Sequence, residues 1–412
     1  MIAALGLGAL AARAQDFDAL AGDPLAAVLP PELAAGADFQ VRDPVASDGL
    51  MHHFIVDSHY GSFEAYGREG LVLRRREIAA LAVLAETSEL GVVANAVGGS
   101  VTGSARTVLG VATHPIDTLI GIPHGISHLF QGYVAQAREL GSSAKNQSKA
   151  PAGADSGHEV DPRRYVARYF GVTASERAWY RKLGVDPYTD NAPLRRAVQW
   201  FARVDATTKF GLKFAGLPGL PYAGELGRAM DAIYNEDPAV LRERRQARLA
   251  GYGLSSDEIQ RFENTLLLTP TRQHLLDAAA IAMAGVEDRA DLFRHAIGLA
   301  SDAEAEVYLR SVLLLAARHA LEPVASILPG LRMPAARAAD GTVVVCAALD
   351  AVRWTEDVVR YEADARAALG RAESGADLWL AAPPSPRAAL ELAARGWRIH
   401  VSSETPPPAA PR

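Results

Sequence analysis

Apolar and polar positions follow three different rhythms along the chain. Between Phe39 and Tyr66 they alternate: Phe39 to Val41, Leu50 to Val56 and Ser62 to Tyr66 read as strands, with turn formers at Asp48-Gly49 and Tyr60-Gly61 between them. Successive side chains of a strand point to opposite faces, so this pattern predicts a short antiparallel meander. From Leu71 the period lengthens. Leu71, Ile78, Leu81, Ala82 and Ala85 recur at helical spacing around a basic Arg74-Arg75-Arg76 face, which predicts a helix packed on the meander.

From Asp161 to His319 the rhythm is helical and the helix starts are marked. Thr173-Ala-Ser-Glu176, Ser255-Ser-Asp-Glu258 and Ser301-Asp-Ala-Glu304 fit the capping box, in which hydroxyl and acid satisfy each other's orphan backbone donors. Thr269-Pro270 and Asp237-Pro238 add caps with proline at the first helical position. Roughly seven helices fit, joined by Gly and Pro loops, which predicts a bundle. No period of about 20–50 residues repeats, which argues against a solenoid. The third rhythm is a return to strands. Apolar runs at Thr342 to Ala347, Asp377 to Ala381 and Trp397 to Val401 alternate with helical stretches at Trp354 to Leu369 and Pro386 to Ala394. Continuous apolar strands separated by helices predict a βαβαβ unit with a parallel sheet covered on both faces.

The expected fold class is therefore mixed α/β and predominantly helical. An N-terminal antiparallel meander with its helix (15–140) precedes a linker (141–160), a helical bundle (161–335), a small parallel βαβαβ lobe (336–403) and a Pro-rich disordered tail (404–412). The linker rests on the Gly, Ser, Ala, Lys and Asn content of Gly141 to Gly157. Leu90 to Val111 carries Arg106 as its only charge and holds Gly99 and Gly103 in a G-x-x-x-G pair. That spacing lets helices approach closely, but Asn95, Ser100, Thr102, Ser104 and Thr107 favour a buried or loosely ordered helix over membrane association, with a flexible Gly-rich segment as the third reading.

Ile2 to Ala12 is an uninterrupted run of small and apolar residues ending in Ala12-Arg13-Ala14, an A-x-A cleavage pattern. We read residues 1–14 as a secretory signal peptide, although no Lys or Arg precedes the apolar run, and expect a periplasmic or secreted protein. The same residues contain Gly6-Leu-Gly8-Ala-Leu-Ala11, a loose match to the dinucleotide fingerprint, but no second strand ending in an acid follows about 20 residues on. A net charge of −6 gives no electrostatic footprint for nucleic acid. Cys346 is the only cysteine, so an intramolecular disulfide is excluded, and its place in an apolar strand suggests a buried, inert thiol.

Candidate chemistry is sparse. Gly184-Val-Asp-Pro-Tyr-Thr-Asp-Asn191 concentrates turn formers and oxygen donors. Asp186, Asp190 and Asn191, with Tyr188 among them, are candidates for ligand binding or a hard cation, although Asn191 is also placed to cap the next helix. His124 and His128 stand at i and i+4, a spacing suited to a metal on one helix face, without the glutamate of H-E-x-x-H. The strand period places His53, Asp57 and His59 on one face, a weaker zinc candidate with His52 beside it. Asp350 and Arg353 follow the first parallel strand, where open α/β sheets bind ligands. No G-x-S-x-G elbow and no S-x-x-K occurs.

Val185-Asp-Pro-Tyr-Thr-Asp-Asn191, followed by Trp200 and Leu268-Thr-Pro-Thr-Arg272, resembles a set of exported bacterial proteins of unassigned activity that share a V-D-P-Y-[S/T]-x-N signature. The resemblance runs from about Asp48 to the end, takes in the Asp350 to Thr355 junction, and implies an architecture and no chemistry. The leading expectation is an envelope protein that binds or scaffolds a protein or small-molecule partner, with no cofactor implied. A hydrolase with its site between bundle and α/β lobe, using Asp186, Asp190, His274 or Asp350, is the first alternative. A membrane-interacting effector acting through 90–111 is the second.

Overall fold

The computed structural model describes residues 17–87, 172–203, 224–370 and 376–402. The expected signal peptide (1–14), the Gly-rich stretch 90–111, His124, His128, the expected linker (141–160) and the expected tail (404–412) lie outside them. Two short helices, α1 (Leu25–Val28) and α2 (Pro31–Ala34), lead into β1 (Phe39–Val41), β2 (Ala46–Ser47), β3 (His52–Ser58) and β4 (Gly61–Tyr66). All pairings are antiparallel, with β3 bonded to β1, β2 and β4, as the alternating pattern requires. Phe54 and Val56 of β3 pack with Val41, Ala65 and, from helix α3 (Gly67–Thr87), Leu71 and Ile78. Gly67 holds φ at +70°, a conformation that side chains with a Cβ rarely adopt, and makes the turn from β4 directly into α3. The N-terminus of α3 is capped from far away in sequence: the Arg68 amide donates to Asp350 Oδ2 at 2.8 Å.

Eight described helices build the bundle: α4 (Ala174–Leu183), α5 (Ala192–Arg203), α6 (Gly224–Asn235), α7 (Pro238–Gly251), α8 (Ser256–Asn264), α9 (Pro270–Ala282), α10 (Ala290–Ile297) and α11 (Asp302–Leu321). Thr173 and Ser255 form complete capping boxes, while Ser301 accepts from the Glu304 amide and Glu304 reaches back to Ala300 N instead. α9 is buried on nearly every side, from Pro270 to Ala280. A helix apolar all round is expected at the centre of a bundle, yet α9 also carries Gln273, His274 and Asp277 inside. Gln273 and Asp277 are matched: Arg245 grips Glu263 through two bonds of 2.8 and 2.5 Å and donates to Gln273 at 3.1 Å, and Arg248 pairs with Asp277. The apolar core runs without a break from Leu81 and Leu84 of α3 through Trp179, Phe201, Phe262 and Phe293 to Leu315 of α11.

The last unit is a five-stranded sheet in the order β5-β6-β7-β8-β9. Its strands are β5 (Val324–Leu328), β6 (Ala335–Ala338), β7 (Val343–Ala347), β8 (Ala376–Leu380) and β9 (Trp397–Val401), with α12 (Glu356–Leu369) and α13 (Pro386–Ala394) as crossovers. The expected parallel βαβαβ unit is present from β7 to β9. Two antiparallel strands precede it, so the sheet starts at Val324 and not at residue 336. They were missed because Val324 to Leu328 directly follows α11 and β6 reads Ala-Ala-Arg-Ala, a sequence with helical preference that only pairing turns into a strand. Period two divides the sheet. Val344 and Cys346 face the bundle core under α11, and Val343, Val345 and Ala347 face α12 and α13. Cys346 is fully buried and burial lifts its thiol to about 12. A strap from Phe17 to Asp23 ties the unit to the N-terminus: Trp354 N donates to Asp18 at 2.6 Å and Arg353 pairs with Asp23.

Candidate ligand-binding cleft

A cavity of about 530 Å³ opens between α3, the loop from Gly184 to Asn191, and the starts of α5, α9 and α11. Its position follows from the caps. Asn191 accepts from Leu194 N at 3.0 Å, Thr269 from Arg272 N at 3.2 Å and Ser301 from Glu304 N at 3.1 Å, so three helices begin at the cleft wall. Their macrodipoles direct partial positive charge into it.

The two guanidiniums that define its chemistry are Arg74 and Arg272. Arg74 donates to Glu77 at 2.6 Å and to both oxygens of Asp190 at 3.0 and 3.3 Å, with its cation 5.7 Å from the Phe63 ring centre. Arg272 donates to Asp302 at 3.1 Å and lies 3.0 Å from Glu306, whose other oxygen accepts from Arg310 at 2.6 Å. Burial works against the Glu306 anion, but Arg310 and Arg272 outweigh it and hold the carboxyl at about 2. Glu77 goes the other way. Burial lifts its carboxyl above the ordinary value despite Arg74, the Thr189 hydroxyl and the 3.2 Å bond from Asn191 Nδ2.

The loop residues singled out from sequence all reach this region, each with its own partner. Asp186 is half-buried, accepts from the Thr271 hydroxyl at 2.6 Å and from Tyr188 N at 2.9 Å, and has a carboxyl raised by desolvation. Tyr188 is 6% exposed on the cleft wall, its phenol pushed up to about 12 by burial. Asp190 faces solvent, and although burial opposes it, Arg74 keeps the carboxyl below its ordinary value. The oxygens of Asp186, Asp190 and Asn191 are taken by Thr271, Arg74 and Leu194 N and do not converge on one cation. Among the described residues no group of three His, Cys, Asp or Glu is arranged to hold a metal ion.

Asp350 and Arg353 do not line the cleft. Asp350 accepts from His52 N at 2.9 Å and from Arg68 N, with His52 Nδ1 at 3.4 Å, and Arg353 holds the strap through Ala19 O and Asp23. Both are junction residues. His52 lies between Asp350 and Asp23, His53 meets Tyr66 edge-on at 4.7 Å, and Asp57 is paired with Arg42, so the strand face proposed for zinc is dispersed. His274 sits behind Tyr188 in a separate crevice with Arg245, its imidazole lowered to about 4 by burial and by Arg245 and Arg248. The site residues that sequence reasoning missed are Glu77, Glu306 and Arg310, with Arg74 read only as part of a basic helix face and Arg272 only as part of a motif. The available signal was an i, i+3 Arg74–Glu77 pair beside the apolar stripe of α3.

No protein-family model, curated protein or solved structure matches the chain. Among the described residues no helix is long and apolar enough to cross a membrane.

Proposed function

We propose that the protein is an exported bacterial envelope protein that binds a small organic dianion in the cleft. One observation carries the reading. Arg74 and Arg272 each have an inner acid partner and an outer one: Glu77 is 11% exposed against 71% for Asp190, and Glu306 is 21% exposed against 65% for Asp302. The inner acids hold the guanidiniums in place. The outer acids occupy the positions that a ligand's carboxylates or phosphates would take, at little cost, because exposed pairs contribute about 0–1 kcal/mol. Asp190 is lowered by Arg272 as well as by Arg74, so the two cations act on a common region. Arginine's planar fork suits bidentate carboxylate or phosphate recognition, and three helix N-termini add to the attraction. Export is supported by the apolar run before Ala12-Arg13-Ala14.

The test is calorimetric titration at low salt with dicarboxylates and phosphorylated acids. Arg74→Gln and Arg272→Gln should each weaken binding about tenfold or more, equivalent to at least about 1.4 kcal/mol. Asp190→Asn should tighten it by removing an internal competitor. Failure of every dianion to bind, or indifference to both arginine variants, overturns the proposal. Export is tested separately by N-terminal sequencing of the chain from a periplasmic fraction: a start at Gln15 is expected, and retained Met1 in cytosol refutes it.

A further inference from the structure

The α/β unit holds a second cavity, about 360 Å³, between the sheet face of Val345, Ala347, Leu378 and Leu380 and helix α12. It is independent of the dianion cleft and shares no wall residue with it. Its origin is the size of the facing side chains. Helix α12 presents Val358 and Ala365 to a sheet that presents Ala347 at the centre, so neither surface fills the gap. Protein interiors are otherwise close-packed, and an apolar hollow of this size is the usual form of a small-molecule site.

The mouth supplies the polarity. Arg332 is 11% exposed and stacks 4.7 Å over the Tyr361 ring, and the oxygen of its acid neighbour Asp364 is 3.5 Å away on a side chain 51% exposed. Burial pulls the Arg332 guanidinium below its ordinary value, outweighing Tyr361, Asp364 and Glu304, whereas acid partners raise Arg74, Arg248 and Arg272. This cation is desolvated more than it is neutralised. The acid on the floor is already committed, because Glu362 accepts from Trp397 Nε1 at 2.9 Å and Arg366 Nε at 2.7 Å.

We propose that this groove binds one free fatty acid, its carboxylate on Arg332 and its alkyl chain along Val345, Ala347, Leu378 and Leu380. Arg332 is the one cation among the residues that line it, which matches a single carboxylate above an apolar chain.

The experiment titrates the full mature chain with dodecanoate, dodecanol and dodecylamine below their aggregation thresholds, read by calorimetry and by tryptophan quenching with bromododecanoate. Dodecanoate should bind at one site, dodecanol at least tenfold more weakly, and dodecylamine more weakly still. Arg332→Gln should bring dodecanoate to the dodecanol level and leave dodecanol unchanged, and Ala365→Phe should abolish both. Trp397→Phe should remove most of the quenching. Equal affinity for the three amphiphiles, several chains per protein, no binding, or indifference to Arg332→Gln would each overturn the assignment. The comparison of the three amphiphiles on the unaltered protein decides the matter even if a variant fails to fold.

Discussion

Replacing Asp350 by alanine should loosen three parts of the molecule at once. Its carboxylate is 8% exposed, receives the backbone amides of His52 and Arg68, and faces His52 Nδ1. Strand β3, the start of α3 and the end of β7 are thereby joined through one side chain. A buried donor left without a partner costs about 1–3 kcal/mol, so two amides give about 2–6 kcal/mol, with the lost cap of α3 already contained in that range. We expect a loss near 4 kcal/mol in urea unfolding at pH 7. Asparagine keeps one acceptor oxygen and should lose less, about 1–2 kcal/mol. The two variants also differ from the natural residue in pH response. Burial opposes the Asp350 anion, but the bonds and charge of His52 and the amide of Arg68 win and set its carboxyl below 3.8. A folded value below the unfolded one means that the stabilisation is complete above pH about 4 and is lost as pH falls through the folded value. The acid limb of the stability curve should therefore flatten in Asp350→Asn. Two turns along α3 stand Arg74 and Glu77, so Asp350→Ala should also weaken dianion binding. A stability loss under about 1 kcal/mol, with an unchanged acid limb, would refute the account.

Glu263→Gln should cost about 3–5 kcal/mol by stranding Arg245 in the bundle core, whereas changing both residues to well-packed apolar ones should recover most of that loss; a denaturant double-mutant cycle measures both. His274 and His295 are held neutral by burial at about 4 against an ordinary 6.5. Lowered histidines mean that the unfolded chain takes up protons first, so stability should be full above pH 6.5 and fall between 6.5 and 4, by about 3 kcal/mol per histidine, which His274→Gln should reduce in a pH series of urea melts. Glu306 is held at about 2, so its contribution should persist until pH falls below about 4.5 and vanish towards 2; Glu306→Gln should remove that step and weaken dianion binding by releasing Arg272 and Arg310.

The elements with strong local signals were legible in the sequence. Helix α13 and strand β9 start and end where the pattern places them, because Pro386 to Ala394 keeps a helical rhythm and Trp397 to Val401 forms an apolar run. Strand β6 was not legible, since three alanines and an arginine have no strand preference of their own and depend on β5 and β7 for hydrogen bonds. The loop from Asp186 to Asn191 stood out as a cluster of oxygen donors, but its partners come from positions 74, 77 and 271, and no local pattern announces a contact across that distance in sequence. The same holds for Asp350, which reads as a residue at a strand end and works as the cap of a helix 282 positions earlier.

Cys346, sealed between β7 and α11, offers a further use. A thiol reagent can reach it only when the central strand is laid bare, so the labelling rate under native conditions becomes a clock for opening of the sheet. The same inertness leaves the surface clear for cysteines introduced one at a time, and probes placed on α3 and α12 would report separately on ligands entering the cleft and the groove.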